Sequence, residues 1–437
     1  MGVWFRTISI SLKDGFIMEK ELYCKYVQIL EEELLPAMGC TEPIALAYAA
    51  AKAKETLGLI PEKCTLHVCG NIIKNVKSVI VPNTGGLKGI PAALVAGFVA
   101  GNASKVLEVL SEVSDEAKAE MKVKLGEIEI EIIPVSDKLL YIDVEVTAGS
   151  ESARVVIEDS HTNITLIKKN DQLIYSATES SETSAETDRS CLSVEKIFEF
   201  ANTVDLKDVY AIIKRQIDYN TAISKEGFAG SWGAEIGKTI LNQAPESIEA
   251  KAKAAAAAGS DARMSGCELP VIIVSGSGNQ GMTASLPVIT YAKELGASEE
   301  ELYRAIVLSD LITIHQKTGI GKLSAFCGAV SAGCGAACGI AYLKGGDLET
   351  IAHTIVNTLA ITSGMICDGA KPSCAAKIAT AIDAGLLGYQ MYQNGNQFRD
   401  GEGIIKKGVE NTIVNVGRLA SVGMKETDKE ILDIMTK

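Results

Sequence analysis

The residues here best suited to chemistry are cysteines, and three groups of them sit where a thiol could be activated or bind a metal. In Met38–Pro43 (MGCTEP), Cys40 falls just ahead of an expected helix with Pro43 in its first turn. The positive end of a helix macrodipole lowers a thiol pKa and favours a reactive thiolate. Glu42, in the same turn, would oppose that, and a cysteine at a helix start also serves in packing or capping, so both readings stand. Cys327, Cys334 and Cys338 recur at helical spacing and should share one face. The rise of a helix puts Cys327 and Cys338 roughly 16 Å apart. At most one or two of the three can then ligate a single cluster, and the rest read as small buried hydrophobes. Cys367 and Cys374 flank Asp368–Ser373 (DGAKPS), whose Gly369 and Pro372 permit a loop that wraps two thiolates around a metal. A helix starting beyond that loop would favour an anionic iron–sulfur centre. None of this is the regular Cys-x2-Cys spacing of zinc or ferredoxin sites, and spacing alone leaves a metal site open.

Other segments could hold the anionic part of a substrate. Gly276–Gly281 (GSGNQG) follows an apparent strand, precedes a helix and fits Gly-x-Gly-x-x-Gly. A dinucleotide site also needs a second strand ending in Asp or Glu about 20 residues on, but the sequence there continues as helix (SLPVITYAKELG). The hexapeptide is similar to the glycine–asparagine loop of pyridoxal-phosphate dehydratases, whose Schiff-base lysine motif is not evident. What remains is either a tight turn or an anion site built from the backbone N–H groups of Gly278, Asn279 and Gln280, with two side chains as further donors. Weaker candidates for a substrate carboxylate are Asn83 and Thr84 in the turn-rich Pro82–Gly89, and Ser160, His161, Thr162 and Asn163 at a turn between expected strands.

The elements that must carry these residues are legible from periodicity. Apolar positions from Glu19 to Pro36 recur at helical spacing, and a second helix should run from near Thr41 to about Leu57. Cys64–Gly70 reads as a short strand. From Gly126 to Tyr175 the segments IEIEIIPV, LLYIDVEV, ARVVIED and NITLIKK alternate apolar and polar residues between turn signals, the pattern of a small antiparallel meander. Ser176–Ser190 is polar enough to be a connector. From Leu192 onward the pattern is helical except for Pro270–Ser275, and the alanine-rich run 250–259 should be a helix ended by Gly259. Leu323–Leu343 has the length of a membrane span, but ten of its 21 residues are Gly or Ala and no aromatic belts flank it, so it reads as a buried core helix. Residues 1–17 read as an N-terminal extension, with Met18 an alternative start. An α+β region spans 18–190, and a helical domain spans 191–437.

Bulk composition excludes some partners. A net charge of −13 with no basic tract argues against nucleic acid and against an anionic membrane. Eleven cysteines without a secretory signal point to reduced thiols in the cytoplasm rather than a disulfide framework. Forty glycines among few aromatics imply closely packed helices and suggest a homodimer.

Four segments together carry a resemblance: MGCTEPIALAYAAA, GSGNQGMTASLPV, KLSAFCGAVSAGCGAACG and GMICDGAKPSCAAKIATA. They are similar to the L-cysteine desulfidases and their uncharacterised relatives, which group with the α-chain domain of the iron–sulfur L-serine dehydratases. The resemblance covers nearly the whole chain from about Met18. It implies an α+β fold with a large, mainly helical cluster-binding domain and a small β-meander subdomain in the N-terminal part. It further implies a [4Fe–4S] cluster on Cys327, Cys367 and Cys374 with one iron open to substrate, and Cys40 as proton acceptor. The implied reaction is β-elimination of a small amino acid, L-cysteine, to pyruvate, ammonia and sulfide. An L-serine dehydratase, or a non-catalytic sensor of cysteine or of the cluster, are the alternatives. True serine dehydratases have a longer spacing between their last two ligands than the six residues here, which favours the desulfidase branch.

Overall fold

The computed structural model describes residues 18–135, 138–177, 187–321 and 323–436. The expected extension at 1–17 and the connector's residues 178–186 lie outside the described residues. The first region carries α1 (Lys20–Glu33), β1 (Pro36–Met38), α2 (Thr41–Leu57), β2 (Lys63–Cys69), α3 (Gly70–Val76), α4 (Gly89–Ala100) and α5 (Asp115–Glu127), followed by β3 (Glu129–Val135), β4 (Tyr141–Ala148), β5 (Glu151–Glu158), β6 (Ile164–Lys169) and β7 (Gln172–Ser176). Then come α6 (Val194–Thr203), α7 (Leu206–Ala229), α8 (Ile236–Gln243), α9 (Ile248–Met264), β8 (Pro270–Ile272), α10 (Gly278–Leu295), α11 (Glu299–Ile320), α12 (Gly328–Leu343), α13 (Leu348–Thr362), α14 (Cys374–Gln393), α15 (Val409–Arg418) and α16 (Lys425–Thr436). The class is α+β with a helical bulk, as expected.

The sheet is not a simple meander. Its order is β3-β2-β4-β5-β6-β7, with β2 parallel to β3 and every other pair antiparallel. β2 takes the place beside β4 because its Cys64, Leu66 and Val68 are fully buried, as a central strand requires. β3 carries two glutamates and Pro134 and is largely exposed, which suits an edge. From β4 to β7 the strands run as the expected antiparallel meander, but their burial does not alternate: β4 and β5 each bury three residues in a row, and β6 is half-buried along its whole length.

α12 forms the centre of the helical region, packed against α10, α11, α13 and α14. Its small residues make this approach feasible. A Cβ on Gly333 would lie 2.7 Å from backbone atoms of Ala381, and one on Gly339 would lie 2.8 Å from Ala305 O. Leu323–Leu343 is thus a core segment, and among the described residues no helix is long and apolar enough to cross a membrane. The alanine-rich helix α9 does not stop at Gly259. It continues to Met264, and Gly259 is where α10 crosses, since a Cβ there would sit 2.7 Å from Met282 Sδ. Close packing outweighs the helix-ending tendency of that glycine.

Asp310, on α11, is fully buried and accepts one hydrogen bond, from Gln216 Nε2 on α7 at 3.0 Å. Burial pushes its carboxyl up to about 8, with the Gln216 donor pulling only weakly the other way. The folded state therefore keeps a proton that the unfolded chain releases near pH 4, so stability falls as pH rises between about 4 and about 8, by at most ~1.4 kcal/mol per pH unit. Asp310→Asn is expected to flatten denaturant-derived stability across this window. An unchanged slope would show that Asp310 is ionised in the fold.

Candidate active site

Two short pairings bring distant candidate residues together. β1 pairs antiparallel with β8, matching Met38 with Pro270. Cys40 follows β1 by two residues and the GSGNQG loop follows β8, so the ribbon sets them side by side, and Thr41 Oγ1 lies 3.0 Å from Gly276 O. The second pairing is a bridge between Phe326 and Ile366, closed by Cys327 N donating to Met365 O at 3.0 Å and Cys367 N to Ala325 O at 2.6 Å. Cys327 and Cys367 are thereby held on adjacent strands of chain. Between Cys367 and Cys374 the loop turns at Gly369 (φ +93°), where a side chain would run into Lys74 O, so glycine is required on both counts. Cys374 is the first residue of α14, and Lys371 and Lys377 both ion-pair with Asp368 to brace the loop.

Cys40, Cys327, Cys367 and Cys374 all line one cavity of about 100 Å³. Cys40 is the N-cap of α2, Ser277 of α10 and Cys327 of α12, while Ser373 caps α14, which Cys374 opens, so the N-termini of four helices meet at this space. None of these four caps makes a side-chain capping bond. An anionic occupant would be stabilised here.

Cys327 lies at the N-cap and not on the helix body, so the helical-face reading of Cys327, Cys334 and Cys338 does not hold. Cys334 and Cys338 are fully buried inside α12 and do not line the cavity. Burial and the neighbouring Cys367 push the Cys327 thiol up to about 12, and burial also raises Cys374. Crowded thiols of this kind ionise when a metal binds them. Among the described residues no group of three His, Cys, Asp or Glu side chains could hold a single metal ion. Three thiols on separate walls of one cavity suit a wider group, a cluster whose corners reach each ligand. Lys317, buried on α11, lines the cavity as well. Burial lowers its ammonium to about 8 while the nearby Cys367 and Cys327 favour its charge.

Cys40 is the point where the structure corrects the expectation from helix position. Its Sγ donates to Glu42 Oε2 at 3.0 Å, and burial together with the Glu42 charge pushes the thiol well above its usual range, against the pull of Arg263. The protein thus holds Cys40 as a thiol. Burial works against the Glu42 carboxylate, but His161 and the Cys40 donor overcome it and hold the group at about 2. His161 Nε2 stands 3.9 Å from Glu42 Oε1. Cys40, Glu42 and His161 form a buried row, with His161 supplied by the β5–β6 turn.

The remaining candidates separate cleanly. Asn279 and Gln280 line the cavity, and Gly278 packs beside Arg263. Ser160 and Asn163 are engaged in their own turn, where Ser160 N and Asn163 Nδ2 both donate to Glu158 O, and Thr162 accepts locally from Ile164 N. Asn83 donates to Leu110 O and Thr84 to Val81 O, so these side chains brace the loop and do not reach the cavity. Sequence reasoning passed over Arg263, Lys317 and Asn75, all of which line it. A buried Arg at the end of an alanine-rich helix carried the only signal that could have marked one of them.

The family model described as serine dehydratase alpha chain matches residues 103–433. The chain belongs to that family. Among its relatives, a UPF0597 protein of Desulfitobacterium hafniense is 58% identical over 94% of this chain and 96% of its own length. One of Treponema denticola is 47% identical over 96% and 99%, and one of Bacteroides fragilis is 39% identical over 94% and 97%. The serine dehydratase family carries the name of an eliminating lyase and is generally associated with iron–sulfur centres.

Proposed function

We propose that this serine dehydratase relative is an L-cysteine desulfidase, with Cys327, Cys367 and Cys374 holding a [4Fe–4S] cluster and Cys40 taking the α-proton. What supports it most is the convergence of those three thiols and Cys40 on one cavity ringed by helix N-termini. The donor set fits the group: soft sulfur ligands, a positive electrostatic surround and the Lys317 side chain at the cavity wall. When bound, a cluster with three protein ligands offers an open iron as a Lewis acid toward the departing β-substituent.

This chain's own residues do the rest. Cys40 Sγ receives the α-proton as its own proton passes to Glu42 Oε2, 3.0 Å away. His161 stabilises the Glu42 charge and orients it through the turn that carries it. Loss of the α-proton and cleavage of the Cβ–S bond release sulfide and 2-aminoacrylate, which tautomerises to an imine and is hydrolysed to pyruvate and ammonia. L-cysteine is preferred over L-serine in this reading because a thiol is the better partner for iron, and the six-residue spacing between Cys367 and Cys374 favours the desulfidase branch.

Protein purified without oxygen should contain about four irons and matching acid-labile sulfide per chain, and should release pyruvate and sulfide from L-cysteine with a higher kcat/KM than pyruvate from L-serine. Folded protein that takes up no iron on reconstitution and turns over neither amino acid would refute the reading.

A further inference from the structure

Arg263 is the last but one residue of α9, only 2% exposed and on the wall of the cavity that Cys40 shares. Its Nη1 donates to Asn279 Oδ1 at 3.1 Å. Its Nε and Nη2 are buried without any hydrogen-bond partner, and no described carboxylate forms an ion pair with it. Asp261, two residues earlier on α9 and so on another side of the helix, is committed elsewhere: its Oδ2 accepts from Gly237 N at 3.0 Å, at the start of α8. A buried cation left this way is costly to the fold, so a partner is expected from outside the chain.

The geometry of the orphaned atoms says which partner. Nε–H and one Nη2–H lie parallel along one edge of the guanidinium plane, the fork that accepts both oxygens of a carboxylate. The remaining edge is occupied by Asn279, which fixes the plane. Gly278 keeps the approach clear, since a Cβ there would fall 2.5 Å from Nε and 2.8 Å from Cζ. The first N–H groups of α10, beginning at Gly278, add further donors.

We propose that Arg263 is the residue that grips the α-carboxylate of the amino-acid substrate, with Asn279 and Gly278 as the residues that position it. The proposal rests on the eliminating-lyase reading and deepens it. With the carboxylate on Arg263, the adjacent α-carbon falls toward Cys40, whose thiol feels the Arg263 charge, and the β-substituent is left to face the Cys327, Cys367 and Cys374 wall. Three-point attachment of this kind selects one enantiomer and requires a free α-carboxylate.

The test uses cluster-loaded full-length protein, with L-alanine as probe because it has the α-carboxylate and ammonium groups but no leaving group. Calorimetry is expected to show L-alanine binding to the wild type and about 100-fold weaker binding, or none, to Arg263→Gln. Arg263→Lys, a point charge without the fork, should recover only part of it. Ethylamine, which lacks the carboxylate, should not distinguish the variants. In turnover the same change should appear mainly in KM for L-cysteine, with iron content and the cluster absorption unchanged. Ligand-free Arg263→Gln should melt no lower than wild type, because an unpaired buried charge has been removed. Loss of iron with unchanged L-alanine affinity would overturn the proposal and make Arg263 a countercharge of the cluster, and a lower melting temperature with unchanged affinity would make it a structural residue. Arg263-dependent L-alanine binding in a protein that turns over no amino acid would keep the carboxylate site and defeat the lyase reading, whereas cysteine turnover with an unchanged KM in Arg263→Gln would do the reverse.

Discussion

Cys40→Ala is expected to lower kcat for L-cysteine by about 10³-fold or more while leaving iron content and the fold intact, the loss that removal of a positioned general base brings. Iron content matters to this result because Cys40 lines the same cavity as the three proposed ligands. A Cys40→Ala protein that lost iron would make Cys40 a fourth ligand, and one that kept its activity would remove it from the chemistry. Glu42→Gln gives a sharper contrast. The Glu42 charge is one of the causes that keep the Cys40 thiol protonated. Removing it should bring the thiol back toward its ordinary range, so that a small alkylating agent modifies Cys40 faster than in the wild type. Turnover should nevertheless fall, by about 10²-fold, because the proton on Sγ has lost its acceptor. A thiol that becomes more reactive while catalysis becomes slower distinguishes a relay through Glu42 from a simple thiolate base, for which both rates would rise together.

Much of this arrangement could be read in the sequence, and the parts that could not share a physical reason. The helix from Thr41 to Leu57 was marked by Pro43 and a long apolar-alanine pattern, and it occurs with those bounds. Pro270–Ser275 was legible as strand-like from its valines and isoleucines, and its first three residues form β8. These are local signals, written within a few residues of the feature they specify. The order of the sheet was not legible, because whether β2 or β4 lies beside β3 depends on which faces are buried from both sides. The site divides the same way. Membership of Cys40 and the GSGNQG helix start in one cavity follows from the β1–β8 pairing, a contact across more than half the chain. Spacing put Cys327 with Cys334 and Cys338, whereas the bridge between Phe326 and Ile366 ends the extended segment just ahead of α12 and turns Cys327 to the opposite company. Arg263 had no motif of its own. Its role emerges only when its Nε and Nη2 are found buried without partners.

That division among the C-terminal cysteines supplies the second large effect. Cys327→Ala, Cys367→Ala and Cys374→Ala are each expected to lose most of the bound iron, the acid-labile sulfide and the turnover, whereas Cys334→Ala and Cys338→Ala should keep all three. Residue type does not separate the five, and helical spacing groups Cys327 with Cys334 and Cys338; what separates them is position in the fold. Cys327 caps α12, Cys374 begins α14 and Cys367 lies on the bridge partner of Phe326, so each reaches the cavity from a different wall. Cys334 and Cys338 lie one turn apart within α12, with the Cys338 thiol raised by burial and by its neighbour Cys334. Truncating either removes little more than one buried methylene's worth of apolar contact, on the order of 1 kcal/mol, which thermal melting would register without loss of iron. A cluster bound by three ligands has no spare protein donor, so each single loss leaves two anchors and an exposed centre. Serine in place of Cys374 should retain more iron than alanine, since an oxygen donor at the start of α14 still faces the metal and still benefits from that helix terminus. Equal iron in all five alanine variants would mean that the cavity thiols hold no cluster, and the Lewis-acid half of the proposed elimination would have to be abandoned.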